Sequence, residues 1–386
     1  MAQHNQRTPL KVLDLFSGCG GLSLGLHLAQ NPKWRFETVA AIDIWDTACE
    51  TYEVNLGLKP VVIGVSKESV KAALKQVGKV DVVVGGPPCQ GFSTSGKRAL
   101  DDPRNKLVLA YLEAVKLAKP KLFLMENVVG FTTFQDGNLL REVKAAAATL
   151  GYRVRAGIVQ ASIVGVPQRR RRFIMVGVRE DLNQFVFPGE SSHAKCGSLD
   201  LDVDLTFRDG QERWTFWDAV SDLPSLKAGE SSNLYAKKPQ NDLQKFLRGD
   251  CEFPTHHQAV GHRPAFIEMM SYIPEGKSAI DPDVQAIIPE ALRPKSGYPN
   301  SYARIRRDKP APTITRNFTT PSSANCIHPT QNRALSIREG ARCQTFPDSF
   351  QFKGSLEDQR LQIGNAVPPL LGKALGEALL QTLSSN

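Results

Sequence analysis

Residues 80–93 read Val-Asp-Val-Val-Val-Gly-Gly-Pro-Pro-Cys-Gln-Gly-Phe-Ser, and no other stretch limits the possible folds so strongly. Its start is an apolar run of the kind that forms a strand buried in a parallel sheet. Gly85 and Gly86 break the strand. Pro87 and Pro88 stiffen its exit, because each proline fixes its own φ and biases the residue before it. Cys89 follows directly, on a rigid loop at the carboxyl end of a strand, the end where open α/β sheets bind ligands. A thiolate is a strong nucleophile, and a preorganised loop is a suitable mount for one. Isolated cysteines are more often buried and structural; here the flanking glycines and prolines favour the reactive reading.

The same logic places other chemistry at strand ends. Residues 11–16 (Lys-Val-Leu-Asp-Leu-Phe) predict a first strand, 17–21 (Ser-Gly-Cys-Gly-Gly) a turn and 22–29 a helix. Strand, glycine turn and helix together cradle a nucleotide-like cofactor, since glycine lets the backbone approach and the helix start offers N–H groups. The spacing is not Gly-x-Gly-x-x-Gly, which disfavours a nicotinamide enzyme. A second strand over 37–42 ends at Asp43, an acid able to accept from ribose hydroxyls or to cap the following helix near 45–54. A third strand is expected at 61–63, an amphipathic helix at 106–118 and a buried strand at 121–128. That last strand brings Glu126 and Asn127 to its carboxyl end, where a carboxylate must be hydrogen-bonded or do chemistry. An Ala-rich helix over 139–150 precedes strands at 152–160 and 173–178. Between these lies Val-Pro-Gln-Arg-Arg-Arg-Arg (166–172), either a plain basic loop or an anion-binding one. A final helix is expected over 370–383.

At 386 residues, with 41% hydrophobic and 23% charged residues, the chain suits two globular domains. No apolar run reaches the length of a membrane span. The first nine residues are polar and lack the apolar core of a signal peptide, so a cytoplasmic location is expected. Seven cysteines with no Cys-x-x-Cys pair point to reduced thiols. Cys251, His256, His257 and His262 match no common zinc spacing and read as loop residues, so no metal is expected. The net charge is +9, which suits a polyanionic partner. Arg293, Lys295, Arg304, Arg306, Arg307, Lys309 and Arg316 face only Asp308 within 293–316, and that run is expected to contact phosphates.

Gly85–Ser93 resembles the nucleophile loop of the DNA cytosine-C5 methyltransferases, and the remaining segments resemble that family's motifs in order along the whole chain. The bacterial restriction-modification members are the most similar in kind. The resemblance implies an α/β, Rossmann-like S-adenosylmethionine-dependent domain with a smaller, irregular target-recognition domain. The expected division is 1–180 for catalysis and cofactor, 181–330 for target recognition, and 331–386 as a return segment whose last helix packs on the catalytic domain. Asp14-Leu-Phe-Ser-Gly-Cys-Gly-Gly21 resembles the first motif, so Phe16, Ser17, Gly18, Gly20 and Gly21 are expected to hold S-adenosyl-L-methionine. Asp43 would bind its ribose and Ile44 its adenine, with further contacts from Pro87, Leu107, Asn365 and Val367. The family usually has an Asp just after the third strand; here Gly64 is followed by Val65 and the nearest acid is Glu68. Residues 95–105 resemble the loop that closes over DNA, 308–315 the end of the recognition domain, 334–348 the ninth motif and 362–369 the last.

The implied chemistry follows from the poor nucleophilicity of cytosine carbon 5. Cys89 would attack carbon 6, turning the ring into an enamine that takes the methyl group. Glu126 would hold or deliver a proton at N3 and Arg172 would stabilise O2, so that ring charge is neutralised as it forms. Gln168 and Arg170 complete the family's Gln-x-Arg-x-Arg pattern, while Asn127 and Pro88 shape the thiol loop. The target base must leave the duplex. Double-stranded DNA is the expected partner of a monomer associated with the nucleoid, alongside a cognate restriction endonuclease acting on the same site without necessarily binding. Two rivals are a tRNA cytosine methyltransferase, whose usual Cys-Phe-Thr motif is missing here, and a DNA-binding regulator on an inactive scaffold.

Overall fold

The computed structural model describes residues 7–88, 105–190, 200–205, 212–295, 297 and 301–384. Two compact units emerge, one comprising Met1–Gln160, Arg171–Arg208 and Pro369–Asn386, the other Ala161–Arg170 and Asp209–Pro368.

The first unit is a twisted sheet flanked by helices. Its strands are β1 (Thr8–Leu15), β2 (Trp34–Asp43), β3 (Val61–Val62), β4 (Val82–Gly85), β5 (Leu122–Asn127), β6 (Tyr152–Gln160), β7 (Arg171–Arg179) and β8 (Val203–Leu205). Their order is β3-β2-β1-β4-β5-β7-β6-β8. Strands β1 to β5 run parallel, and β7 enters antiparallel to β5 and β6. Helices α1 (Gly21–Leu28), α2 (Asp46–Leu56), α3 (Lys67–Val77), α4 (Asn105–Ala118) and α5 (Asn138–Thr149) make the crossovers. The apolar runs of β4 and β5 earn the centre of the sheet: Val82, Val83, Val84 and Leu122 to Met125 are all inaccessible to solvent. After β3 the chain crosses over β1 to reach β4, so the reversal in strand order opens a crevice at the carboxyl ends of β1 and β4.

Gly85 has no alternative. A Cβ there would lie 2.4 Å from the carbonyl oxygen of Leu15, its partner in β1. Small residues also join α1 to the last helix (Pro369–Ser384): a Cβ on Gly25 would lie 2.4 Å from Pro369 O and 2.6 Å from Gly372 Cα.

The second unit holds α6 (Phe216–Val220), α7 (Asp242–Arg248), α8 (Pro264–Ser271), α9 (Pro282–Ile287), α10 (Ile337–Cys343) and α11 (Leu356–Asn365), with a two-stranded sheet of β9 (Ala303–Arg304) and β10 (Asn325–Ile327). One apolar cluster gathers Met269, Met270, Ile273, Ala279, Val284, Ile288 and Ile327. Beside it runs a polar core. Fully buried Arg342 donates to Asp348 at 2.7 and 2.9 Å and to Asp222. Arg333 grips Glu339 with two hydrogen bonds, and Arg338 donates to the carbonyls of Thr255, Pro347 and Phe350.

These units depart from the expected boundaries for physical reasons. Val203 to Leu205 extend the first sheet by pairing with Gly157 to Val159, so the chain stays with that unit past residue 180, as far as Arg208. Residues 331–368 belong to the second, because Arg333, Arg338 and Arg342 are its core. Within the basic run over 293–316 only Arg304 departs from the expectation, the other six cations being exposed. Arg304 is buried, donating to the carbonyls of Ile273, Met270, His328 and Gln331, so it holds the fold rather than a phosphate. Arg306 pairs with Asp308 and Arg307 with Glu275. A count of charges along a sequence cannot see burial. The histidines brace loops: His256 accepts from Phe352 N, His262 from Ala334 N, and His257 bonds Ser336 Oγ and Pro224 O.

Replacing Gly25 by Ala is expected to destabilise the protein by about 2–3 kcal/mol, as overpacking overrides a helix-propensity gain of about 1 kcal/mol. Gly64→Ala, at a site with open space, should change stability by less than about 0.5 kcal/mol. Equilibrium urea unfolding of the two variants measures both.

Candidate functional site

The exit from β1 builds a tight cradle. Phe16 takes a left-handed conformation (φ 56°), which costs a non-glycine residue on the order of 1 kcal/mol and is tolerated where the surroundings fix it. Ser17 N donates to Ile42 O, and Gly20 N closes the turn onto Ser17 O at 3.0 Å. Gly20 (φ 91°) stands at the start of α1, where a Cβ would strike Leu56 and Tyr52 at 2.7 and 2.8 Å. Asp43 ties the cradle to the next strand: Oδ2 accepts from Gly18 N at 2.7 Å and Oδ1 from Trp45 N at 2.8 Å. Each carboxylate oxygen keeps capacity for a further donor.

Three features fit a nucleoside cofactor such as S-adenosylmethionine at this crevice. The hydroxyl of Ser17 is buried and has no hydrogen-bond partner. Gly18 leaves open space where a side chain would stand. Ile44, at the tip of β2, is 77% exposed, an apolar face on which a purine can lie. Gly21 is buried in the first turn of α1, Pro87 is buried and Leu107 half-buried in the first turn of α4. Val65 turns inward and joins the apolar core of the sheet. Beneath the cradle Asp14 is almost wholly buried, accepts from Ser23 Oγ at 2.6 Å, and is pushed up to about 7 by burial, with Asp43 adding to the effect.

The carboxyl ends of β4 and β5 carry a second cluster. Glu126 Oε1 meets Arg172 Nε at 2.8 Å, and both side chains are largely enclosed. Burial holds the Arg172 guanidinium below its ordinary range, and Glu126 works against that shift. Glu126 Oε2 lies 3.2 Å from the point a Cβ of Gly86 would occupy, so the glycine lets the carboxylate face the loop that follows. Asn127 Nδ2 donates to Pro87 O at 3.0 Å, and Val128 N donates to Asn127 Oδ1 at 2.8 Å. Pro88 is exposed. Cys89 and the segment over 95–104 lie outside the described residues. A carboxylate and a guanidinium side by side can bind a group that offers a donor and an acceptor on one edge.

Gln168, Arg170, Asn365 and Val367 belong to the second unit. Gln168 is fully buried; its amide donates to Cys343 O and Gln344 Oε1, and its carbonyl accepts from Ile314 N. Arg170 donates to the carbonyls of Ile314, Gly364 and Ala366, so it grips the backbone on both sides of Asn365. Asn365 is exposed and Val367 buried. Sequence reasoning gave no role to Tyr111. Its buried hydroxyl lies 2.8 Å from Leu124 O and 3.2 Å from Val83 O, stitching β5 to β4. The one signal was a hydroxyl on the apolar face of α4.

The C-5 cytosine-specific DNA methylase family matches residues 10–381. A type II methyltransferase of Haemophilus parahaemolyticus, M1.HphI, is 36% identical over 96% of this chain and 87% of its own length. The mouse DNA (cytosine-5)-methyltransferase 1 is 31% identical over 97% of this chain, which spans 28% of that protein. Among solved structures, the Dnmt2 methyltransferase of S. pombe has a TM-score of 0.56 at 20% identity, covering 96% of this chain and 98% of that one, a likeness of fold.

A raised acid sets the sign of a pH effect. Folded Asp14 keeps its proton up to about pH 7, whereas an unfolded aspartate loses it near pH 4. The folded state therefore binds the extra proton between these values, and stability falls as pH rises through that window. Asp14→Asn, which can still accept from Ser23, should remove that fall, so wild-type and variant urea midpoints should diverge progressively between about pH 4 and 7.

Proposed function

The chain belongs to the C-5 cytosine-specific DNA methylase family and is a DNA (cytosine-5)-methyltransferase; from that premise we propose that it methylates a flipped-out cytosine in a specific duplex sequence, using S-adenosylmethionine and a covalent Cys89–C6 adduct. The observation that carries this reading is the Glu126–Arg172 pair beside Gly86, with Asn127 gripping the loop that leads to Cys89.

Cytosine presents N3, O2 and the 4-amino group on one edge. Glu126 meets N3, holding or delivering a proton there, and Arg172 donates to O2. Thiolate addition at C6 pushes electron density onto N3 and O2, and these two side chains stabilise that charge. Carbon 5 of the resulting enamine is then nucleophilic. Bound S-adenosylmethionine supplies the electrophilic methyl group. Loss of the carbon 5 proton to a base restores the double bond and expels Cys89. Phe16, Ser17, Gly18, Gly20 and Gly21 hold the cofactor, with the Ser17 hydroxyl finding its partner in it. Asp43 accepts from its ribose, and Ile44, Pro87 and Leu107 pack against it. Asn365 and Val367 are the residues that the family resemblance gives to its methionine end.

Gln168 holds backbone groups of Cys343 and Ile314 and the Gln344 side chain, and Arg170 holds the carbonyls of Ile314, Gly364 and Ala366, so their part is positioning. The second unit carries target recognition, and the protein acts as a monomer on double-stranded DNA. A restriction endonuclease cutting the same sequence is the companion expected from M1.HphI and its kind. Among the described residues no helix is long and apolar enough to cross a membrane.

Transfer of labelled methyl from S-adenosylmethionine to mixed-sequence duplex DNA, with tRNA alongside, tests the reading. Label should enter DNA and vanish with Cys89→Ser, while cofactor and DNA still bind. Arg172→Lys and Glu126→Gln should each lower kcat roughly 10²- to 10³-fold with little change in cofactor affinity. Label in tRNA alone, or a Cys89→Ser protein that still turns over, would sink it.

A further inference from the structure

Asp14 stands on β1 two residues ahead of Phe16, where the cradle begins, and is only 1% exposed. Its carboxyl is one end of a hydrogen-bonded chain. Asp14 Oδ2 lies 2.6 Å from Ser23 Oγ, Ser23 Oγ 3.2 Å from Thr38 Oγ1, and Thr38 Oγ1 3.0 Å from His27 Nε2. Thr38 N also donates to His27 Nε2 at 3.3 Å, so that nitrogen acts as an acceptor. His27 itself is half-buried, in the last turn of α1.

Two hydroxyls between a carboxyl and a ring nitrogen can be ordered in either direction. With Asp14 ionised, Ser23 donates to it. With Asp14 protonated, the carboxyl donates to Ser23, Ser23 to Thr38 and Thr38 to His27 Nε2. Both forms of Asp14 are thus hydrogen-bonded with no side chain displaced. Glu339, held by two bonds from Arg333, has no such freedom.

The ionisable groups packed around Asp14 leave it balanced between the two forms. Burial disfavours its anion, the Ser23 hydroxyl supports it, and Asp43 on β2 opposes it again, so the carboxyl titrates at about 7. Tyr52 on α2 and Tyr111 on α4 stay neutral, pushed up by burial first and then by Asp14. At the far end burial and then Arg35 hold the His27 ring below its ordinary range, with Glu37 acting against them.

We infer, on the S-adenosylmethionine reading of the crevice, that Asp14 reads the charge of the cofactor: the donor's sulfonium draws it into its anionic form, whereas S-adenosylhomocysteine, with a neutral sulfur, leaves it protonated. The proton lost from the carboxyl goes to the solvent. A unit charge about 10 Å from a carboxyl changes its acid constant roughly tenfold at an effective dielectric constant of about 20. The coupling is reciprocal, so ionised Asp14 favours the charged donor over the spent product.

Titration calorimetry of the full chain without DNA, in two buffers of different ionisation enthalpy, counts the protons released on binding. At pH 6.5 S-adenosylmethionine should release roughly half a proton more than S-adenosylhomocysteine, and the donor-to-product affinity ratio should rise roughly fivefold between pH 5.5 and 7.5. Asp14→Asn should abolish both differences, a control that subtracts what the ligands' own amino and carboxyl groups contribute. Equal release by the two compounds in the wild type, or a difference that survives Asp14→Asn, would overturn the inference and leave the function standing. Should Asp14→Asn fail to fold, the wild-type comparison decides alone. Failure of both compounds to bind would overturn the functional reading and the inference together.

Discussion

Strands β4 and β5 run parallel and in register, Gly85 beside Met125, so whatever follows them arrives together at one end of the sheet. The chemistry of the first unit depends on that adjacency. One strand ends in two glycines and two prolines, the other in a carboxylate and an amide. The glycines let the strands and the carboxylate approach, and the amide of Asn127 fixes the proline loop by its carbonyl. Tyr111 spans both strands from beneath. A loop whose prolines restrict its backbone and whose carbonyl is tied costs little entropy to hold in place. That is the condition a nucleophile needs.

The second unit solves a different problem. Its helices are short, and beside its buried apolar residues runs a network of buried charges. Arg333, Arg338 and Arg342 are buried with Glu339, Asp222 and Asp348 or with backbone carbonyls. A buried charge without a partner is strongly destabilising, so each member of this network constrains the others. Segments without regular periodicity thereby acquire one arrangement.

The elements of the sheet were legible because buried parallel strands are runs of aliphatic residues: β4 and β5 lie within the predicted 80–93 and 121–128 stretches, and β6 coincides with residues 152–160. β8 was not, since three residues bounded by irregular chain carry no periodic signal. The unit boundaries were not legible either, because a hydrogen-bonded pairing such as Gly157 with Val203 is a long-range fact. Glu126 and Arg172 could be named from motif spacing, but their 2.8 Å ion pair needed the antiparallel entry of β7 beside β5. Within the run over 293–316 the reading by sign missed one residue: Arg304 is a fold-holding group that happens to be charged, while the other six cations are exposed.

Arg170 and Arg172 contrast a guanidinium held by backbone with one paired to a carboxylate. Both are enclosed, and they are two residues apart in a run of four arginines. Arg170 donates to the carbonyls of Ile314, Gly364 and Ala366, acceptors fixed in backbone that cannot change charge or move without unfolding their loops. Arg172 meets a carboxylate at the end of a strand, an acceptor that can exchange a proton and that faces a glycine rather than a packed side chain. The polar cost of burying Arg172 is thus offset by a partner able to do chemistry. A carboxylate partner alone is not the mark, since Arg333 and Arg342 pair with Glu339, Asp222 and Asp348 inside the polar core; what sets Arg172 apart is that its partner stands at the carboxyl end of β5 and faces Gly86.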